Sequence, residues 1–229
     1  MPAPKPPLPD PPARPLRADA ARNRVLILQA AREVFREGGL DMTLDDIAAH
    51  AGVGVGTVYR RFPDRESLVE ALFDQQMQDT VQLARKALSG GDPWTGLISV
   101  MHSICHDIAT DRGLRQVMLS SRYGLDRVAS SRTLMVPLLE RLVEGARHSG
   151  ELRPDFQAAD IPILFLMVSS VADFSSEVRP QLWERSFRFF SDGMRAHPAP
   201  GRPDVPPLPG ALSPDQTAAA MASWKPSRR

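Results

Sequence analysis

The chain has 229 residues, enough to bury a sizeable core, and its 42% hydrophobic and 24% charged residues are the balance of an ordinary globular protein. A net charge of +1 excludes a bulk electrostatic attraction to nucleic acid, and a single cysteine, Cys105, excludes an internal disulfide framework. The longest apolar run, Ile161 to Val168, falls well short of the roughly 18 residues a membrane span needs. No basic stub followed by an apolar stretch opens the chain, so the cytoplasm is the expected compartment and no membrane partner is expected.

Eight prolines lie within residues 1–15 and eight more within 198–229, of 22 in all. Proline lacks a backbone donor and such segments bury no core, so residues 1–18 and 198–229 are expected to be disordered or extended tails. Within the second, Ser213, Pro214, Asp215 and Gln216 read as N-cap, N1 proline and capping-box glutamine of a short helix over 214–224.

Between the tails the period is helical, and the expected fold is all-α. A three-helix domain over 19–64 is followed by a larger helical domain over 65–197. Ile27, Ala31, Val34 and Phe35 form the apolar stripe of a first helix, which Gly38 and Gly39 end. Leu44, Ile47, Ala48 and Ala51 mark a short second helix, with Thr43 at its N-cap and Asp46 three residues on. A tight turn at Gly52 to Gly54 leads to a third helix ending near Arg61. Asp64 then caps a long fourth helix carrying Leu68, Leu72, Val81 and Leu88. Asp92 and Pro93 open the next element, and further helices are expected at 93–110, 112–123, 129–149, 160–177 and 180–196.

The stretch from Thr43 to Phe62 has the spacing of a helix-turn-helix. Ala48 supplies the small residue where two helices cross, Gly52 the position able to take φ > 0, and Val53 the apolar residue after it. Val58 and Phe62 turn to the core. Val55, Thr57, Tyr59, Arg60 and Arg61 are left on an outer face with hydroxyls, methyls and guanidinium groups, the chemistry that reads base edges and phosphates. Thr43 and Arg65 stand at helix N-termini, where backbone N–H groups favour anions. From Arg14 to Glu70 nine arginines balance nine acidic residues, so any attraction to DNA must come from one face.

With Ala30, Ala31, Phe35, Gly39, Thr43, Ile47, Ala48, Ala51, Gly52, Val53, Gly56, Thr57, Val58, Tyr59, Phe62, Arg65 and Leu68 at fixed offsets, residues 22–72 resemble the TetR family, the tetracycline-repressor-like regulators. The resemblance implies that the third helix enters the major groove. Residues at Thr43, Val55, Thr57, Tyr59, Arg61 and Arg65 would then touch bases or phosphates. Gly54 departs from the pattern, which often has serine there to cap the recognition helix.

Symmetric half-sites about 34–36 Å apart require two copies, so a homodimer is expected. The best surface is the last two helices, through Ile163, Phe165, Leu166, Leu182, Trp183, Phe187 and Phe190; the resemblance implies a four-helix bundle built from them. It also implies a cavity for a small apolar or amphipathic effector, with candidate walls at Trp94, Met101, His102, Cys105, Met118, Tyr123, Met135 and Met167. The same residues would serve equally as plain core.

Four other chemistries compete with these. Gly52, Gly54 and Gly56 superficially suggest a nucleotide loop but lie between two short helices, without the preceding strand that such a loop requires. His102 and His106, four apart on a helix with Cys105 between and Asp107 and Asp111 nearby, could share a metal, but a polar patch or partly exposed face is the commoner use of such a pair. Cys105 could oxidise, but no resolving cysteine exists, so no metal or cofactor is expected. No nucleophile elbow, phosphate loop or metalloprotease motif is present, which argues against an enzyme. The expected function is a ligand-responsive repressor on a palindromic operator, with an activator or an architectural DNA binder as the alternatives.

Overall fold

The computed structural model describes residues 14–119, 121–196, 210–213, 215–216 and 219–220, with no side-chain placement for 14–21, 37, 40 and 117–133. Most of both proline-rich tails, and the side chains of Met118 and Tyr123, therefore lie outside the described residues.

Among the described residues the architecture is all-helical. A small N-terminal unit contains α1 (Arg14–Gly38), α2 (Leu44–Ala51) and α3 (Val55–Arg61). The body contains α4 (Arg65–Leu88), α5 (Pro93–Thr110), α6 (Arg112–Leu119), α7 (Ser121–His148), α8 (Ile161–Ser175) and α9 (Leu182–Met194). The first helix begins inside the segment expected as a tail, because Pro15 sits in its first turn, where a missing N–H costs no hydrogen bond. The expected gap between helices at 124–128 is also absent. Instead α6 ends at Leu119 and α7 runs unbroken through Gly124 and Pro137, both tolerated inside a long helix.

Two clusters of buried side chains share α4. In the smaller, Ile27, Ala31 and Phe35 of α1 meet Ile47 and Ala48 of α2, Val58 of α3, Phe62, and Leu68 and Phe73 of α4. In the larger, Val81 and Ala84 of α4 meet Leu97, Met101 and Ile108 of α5, Leu139 and Leu142 of α7, Leu164 and Val168 of α8, and Trp183 and Phe187 of α9. Each of the larger aliphatic, methionine and phenylalanine side chains among these contributes about 1.5–3 kcal/mol by leaving water. Met77 packs against both clusters, so α4 is one rigid rod common to the two units.

Helix boundaries follow local chemistry. The Asp64 carboxylate accepts from the Ser67 N–H at 2.7 Å, and that of Asp92 from Thr95 N–H at 3.0 Å. Asp160, expected to cap the eighth helix, instead accepts from the Gln157 N–H at 2.9 Å and closes a single 3₁₀ turn before α8. The Ser213 capping box forms as expected, with Gln216 Oε1 accepting from Ser213 N–H and Ser213 Oγ from Gln216 N–H. Past α9, a short antiparallel pairing of Leu152 with Arg195 ties the end of the helix to the 151–153 segment.

Candidate nucleic-acid interface

The turn between α2 and α3 is set by Gly52, at φ +65°, whose N–H satisfies the last carbonyls of α2, followed by Val53 N–H donating to Ala48 O at 3.1 Å. An L side chain at Gly52 would be strained there. Gly54 is the N-cap of α3 and provides no side-chain bond. Burial then divides α3 cleanly. Val58 is fully buried, Thr57 is half-buried, and Val55, Tyr59, Arg60 and Arg61 are exposed, Tyr59 at 47%. The face expected to read DNA is thus the open one.

Several polar groups on it are already engaged. Arg60 donates to Thr57 Oγ1 at 3.3 Å, which leaves the threonine hydroxyl hydrogen for a base-edge acceptor. Thr43 closes a full capping box: its hydroxyl donates to Asp46 Oδ2 at 2.6 Å and accepts from Asp46 N–H at 3.2 Å, while its own N–H also donates to Asp46. The hydroxyl hydrogen is therefore spent within α2, and Thr43 can offer a phosphate no donor unless that bond opens. Those same bonds, the side-chain one first, hold the Asp46 carboxyl below the usual carboxylate range. Arg65, half-buried, occupies the first position of α4 directly after its Asp64 cap.

Two contacts fixing this unit were not legible in the sequence. Arg24 of α1 lies over the Phe62 ring at 5.5 Å, so one member of the N-terminal basic stretch braces the end of α3. His50 Nε2 lies 2.7 Å from Glu33 Oε2 and pins α2 to α1. Arginine and histidine in a sequence announce charge, not the element they will touch.

In the body, Met101, Cys105 and Met135 of the expected cavity are packed core. Burial pushes the Cys105 thiol up to about 12, which leaves it neutral and unreactive. Met167 is exposed on the outer face of α8, on the far side from the body interior. Trp94 and His102 instead line an open groove of about 450 Å³ between α5 and α9, completed by Ile98, Phe187, Arg188 and Arg195. Arg195 stacks over the Trp94 ring at 4.6 Å. The His102 ring packs 5.3 Å from Trp183 and 5.2 Å from Phe187, and His106 lies 6.0 Å from Trp183. The two histidines thus meet aromatic rings rather than a shared ligand set, and among the described residues no three His, Cys, Asp or Glu side chains converge on a metal position.

The expected pairing surface also divides. Trp183 and Phe187 are buried in the chain's own core, because α9 lays that face against α5. Phe165, Leu166 and Leu182 are half-buried, as is Phe190, which packs edge-on to Phe156 at 6.2 Å. Ile163 is exposed and continues through Met167 and Phe174 as one stripe on α8, with Phe174 at 86%, Val178 just beyond at 90%, and Phe189 on α9 at 63%. By composition Ala158–Ser175 is long and apolar enough to cross a membrane, with mean hydropathy 1.5, but one side of it is body core.

Two short helices around a glycine turn, an open polar face on the second, and a long helix leading into a larger helical body define a helix-turn-helix DNA-binding regulator. Residues 27–72 match the bacterial regulatory proteins of the tetR family, and residues 92–196 match the C-terminal domain of SbtR-like transcriptional regulators. The solved TetR transcription regulatory protein from Mycobacterium vanbaalenii is 35% identical, covering 79% of this chain and 99% of that one at a TM-score of 0.58. The HTH-type transcriptional repressor BepR of Brucella suis is 27% identical over 155 residues, 62% of this chain and 74% of BepR. SmeT, the repressor of the Stenotrophomonas maltophilia multidrug efflux pump SmeDEF, shares the fold at 22% identity, covering 83% of this chain and all of SmeT, with a TM-score of 0.56; it is also solved as a complex with triclosan. The chain belongs to the TetR family: it is a DNA-binding transcriptional regulator, not an enzyme.

Proposed function

We propose that the protein is a homodimeric, cytoplasmic repressor that binds a palindromic operator through α3 and releases it on binding a small apolar or amphipathic effector. The observation that carries this reading is the division of α3, with Val58 sealed in the core while Val55, Tyr59 and Arg61 face outward beside the half-buried Thr57. On such a face Tyr59 and Thr57 offer hydroxyls to base edges, the Val55 and Thr57 methyl groups meet thymine methyls, and Arg60, Arg61 and Arg65 supply phosphate or guanine contacts. Repression is supported by the names BepR and SmeT carry. Pairing is supported by the α8 stripe of Ile163, Met167 and Phe174, a run of large apolar side chains left exposed among the described residues.

Effector binding is supported by the groove between α5 and α9, where aromatic rings meet a mixed polar rim of Glu184, Arg188, Asp192 and Arg195, a lining that suits an aromatic molecule with polar substituents. A ligand releases DNA only by preferring the released state, typically by about 1–3 kcal/mol. The deciding experiment is footprinting of the purified chain on its own promoter, repeated with Tyr59→Ala and Thr57→Ala. Each variant is expected to stay dimeric and to lose specific affinity by about 1–3 kcal/mol. Unchanged affinity in both would remove the recognition role of α3. Triclosan and related aromatics are the first probes for release, read as loss of the footprint and a rise in melting temperature.

A further inference from the structure

The junction between the DNA-binding unit and the body is built on α6, a helix of eight residues fixed on three sides. Its start is capped by Asp111, whose Oδ1 accepts from the Leu114 N–H at 2.8 Å. Its flank meets the DNA-binding unit with no room to spare, since a Cβ at Gly113 would stand 2.8 Å from Phe35 Cβ and 3.1 Å from the Phe35 carbonyl oxygen. Its inner side carries Arg115, only 8% exposed. One amino nitrogen of that guanidinium donates to the carbonyls of Ile108 and Ala109, at the end of α5, at 2.7 and 3.1 Å. The other pairs with Asp173 Oδ1 of α8 at 2.9 Å. Asp173 is the residue before Phe174, at the edge of the exposed α8 stripe.

Burying a guanidinium is costly unless its donors are satisfied, and here they are divided between two other helices. We propose that Arg115 is a positioning residue for operator binding: by tying α6 to α5 and to Asp173, it sets the distance between the DNA-binding unit and the α8 face on which a second copy pairs. This rests on the dimer reading above, because only in a dimer does that distance become the separation of two recognition helices. Half-sites about 34–36 Å apart tolerate little variation in that separation. The brace is therefore felt at the DNA as a preference for spacing, not as a contact to any base.

The test uses the full chain and a duplex selected by it from a random-sequence pool, remade with the half-sites one or two base pairs closer or farther apart. Asp173→Asn keeps the Arg115 bonds to α5 and removes only the charge on α8, at a position already exposed. It is expected to sediment as a dimer and melt like the wild type. Its affinity for the selected spacing should fall about two- to fivefold, with a smaller loss at the other spacings, so that the spacing profile flattens. Arg115→Lys, a point charge unable to reach all three acceptors, should flatten it further. A purely structural role would lower the melting temperature and weaken every spacing alike, and that result, or an unchanged profile in both variants, overturns the proposal. A wild-type chain that sediments as a monomer both free and on DNA overturns the dimer reading instead.

Discussion

Asp107 sits on α5 where three helices meet, and burial, more than any neighbouring charge, raises its carboxyl above the usual carboxylate range. Gln76 of α4 donates to its Oδ2 at 2.5 Å. A carboxyl raised on folding penalises the folded state once the unfolded form ionises, near 3.8, and the penalty is complete above the folded value. Asp107→Asn keeps an acceptor for Gln76 and removes the charge, so it should melt higher than the wild type at neutral pH. The advantage should vanish below about pH 3.8, where the wild-type carboxyl is protonated in both the folded and the unfolded state. Cys105 is the other residue whose chemistry burial decides. With its thiol near 12, native protein at neutral pH should resist iodoacetamide, and mass spectrometry should find the adduct only after unfolding.

At the scale of the element, α3 has a good outer face and a weak start. Gly54 has φ −64° and ψ 138°, ordinary for any residue, and an added Cβ would meet nothing nearer than Thr57 Oγ1 at 3.9 Å. Gly54→Ser should therefore supply the missing cap and add about 0.3 kcal/mol of stability, measurable as a small rise in melting temperature. If the new hydroxyl reaches a phosphate, affinity should rise for all sequences alike with the salt slope unchanged, because a neutral donor releases no counterion. The caps show why so much of the fold was legible in the sequence: Thr43, Asp64 and Asp92 each mark a helix start by a side chain too short to serve anywhere else. The gap expected at 124–128 is wrong for the converse reason: no capping residue directly precedes the helix start expected at 129. The cost of about 1 kcal/mol for Gly124 inside a helix is absorbed by the length of α7. On α9, helical spacing puts Trp183, Phe187 and Phe190 on one face and Phe189 on another, and the structure follows it, with Trp183 and Phe187 buried and Phe189 63% exposed. The spacing could have separated them, but large apolar side chains alone do not say whether a face meets its own body or a second copy.

At the scale of the whole molecule, the most exposed large apolar side chains among the described residues are Phe174 of α8 and Val178 just beyond it, with Phe189 of α9 next. On the proposed pairing through α8, Phe174→Asp should leave the core untouched, since the side chain is 86% exposed, and should give a folded monomer in sedimentation equilibrium. The monomer should bind the operator far more weakly, because the second half-site no longer comes with the first. The close approach of Gly113 to Phe35 has a consequence for engineering as well. Regulators with exchangeable sensing bodies are built by cutting between the reading head and the rest, which treats the seam as a passive hinge. Here the seam is a lock cut to one key: a body with anything larger than glycine at 113 would press on the Cβ and the backbone carbonyl oxygen of Phe35 and seat askew. Chimeras of this protein should therefore be joined with α1 and α6 taken from the same parent.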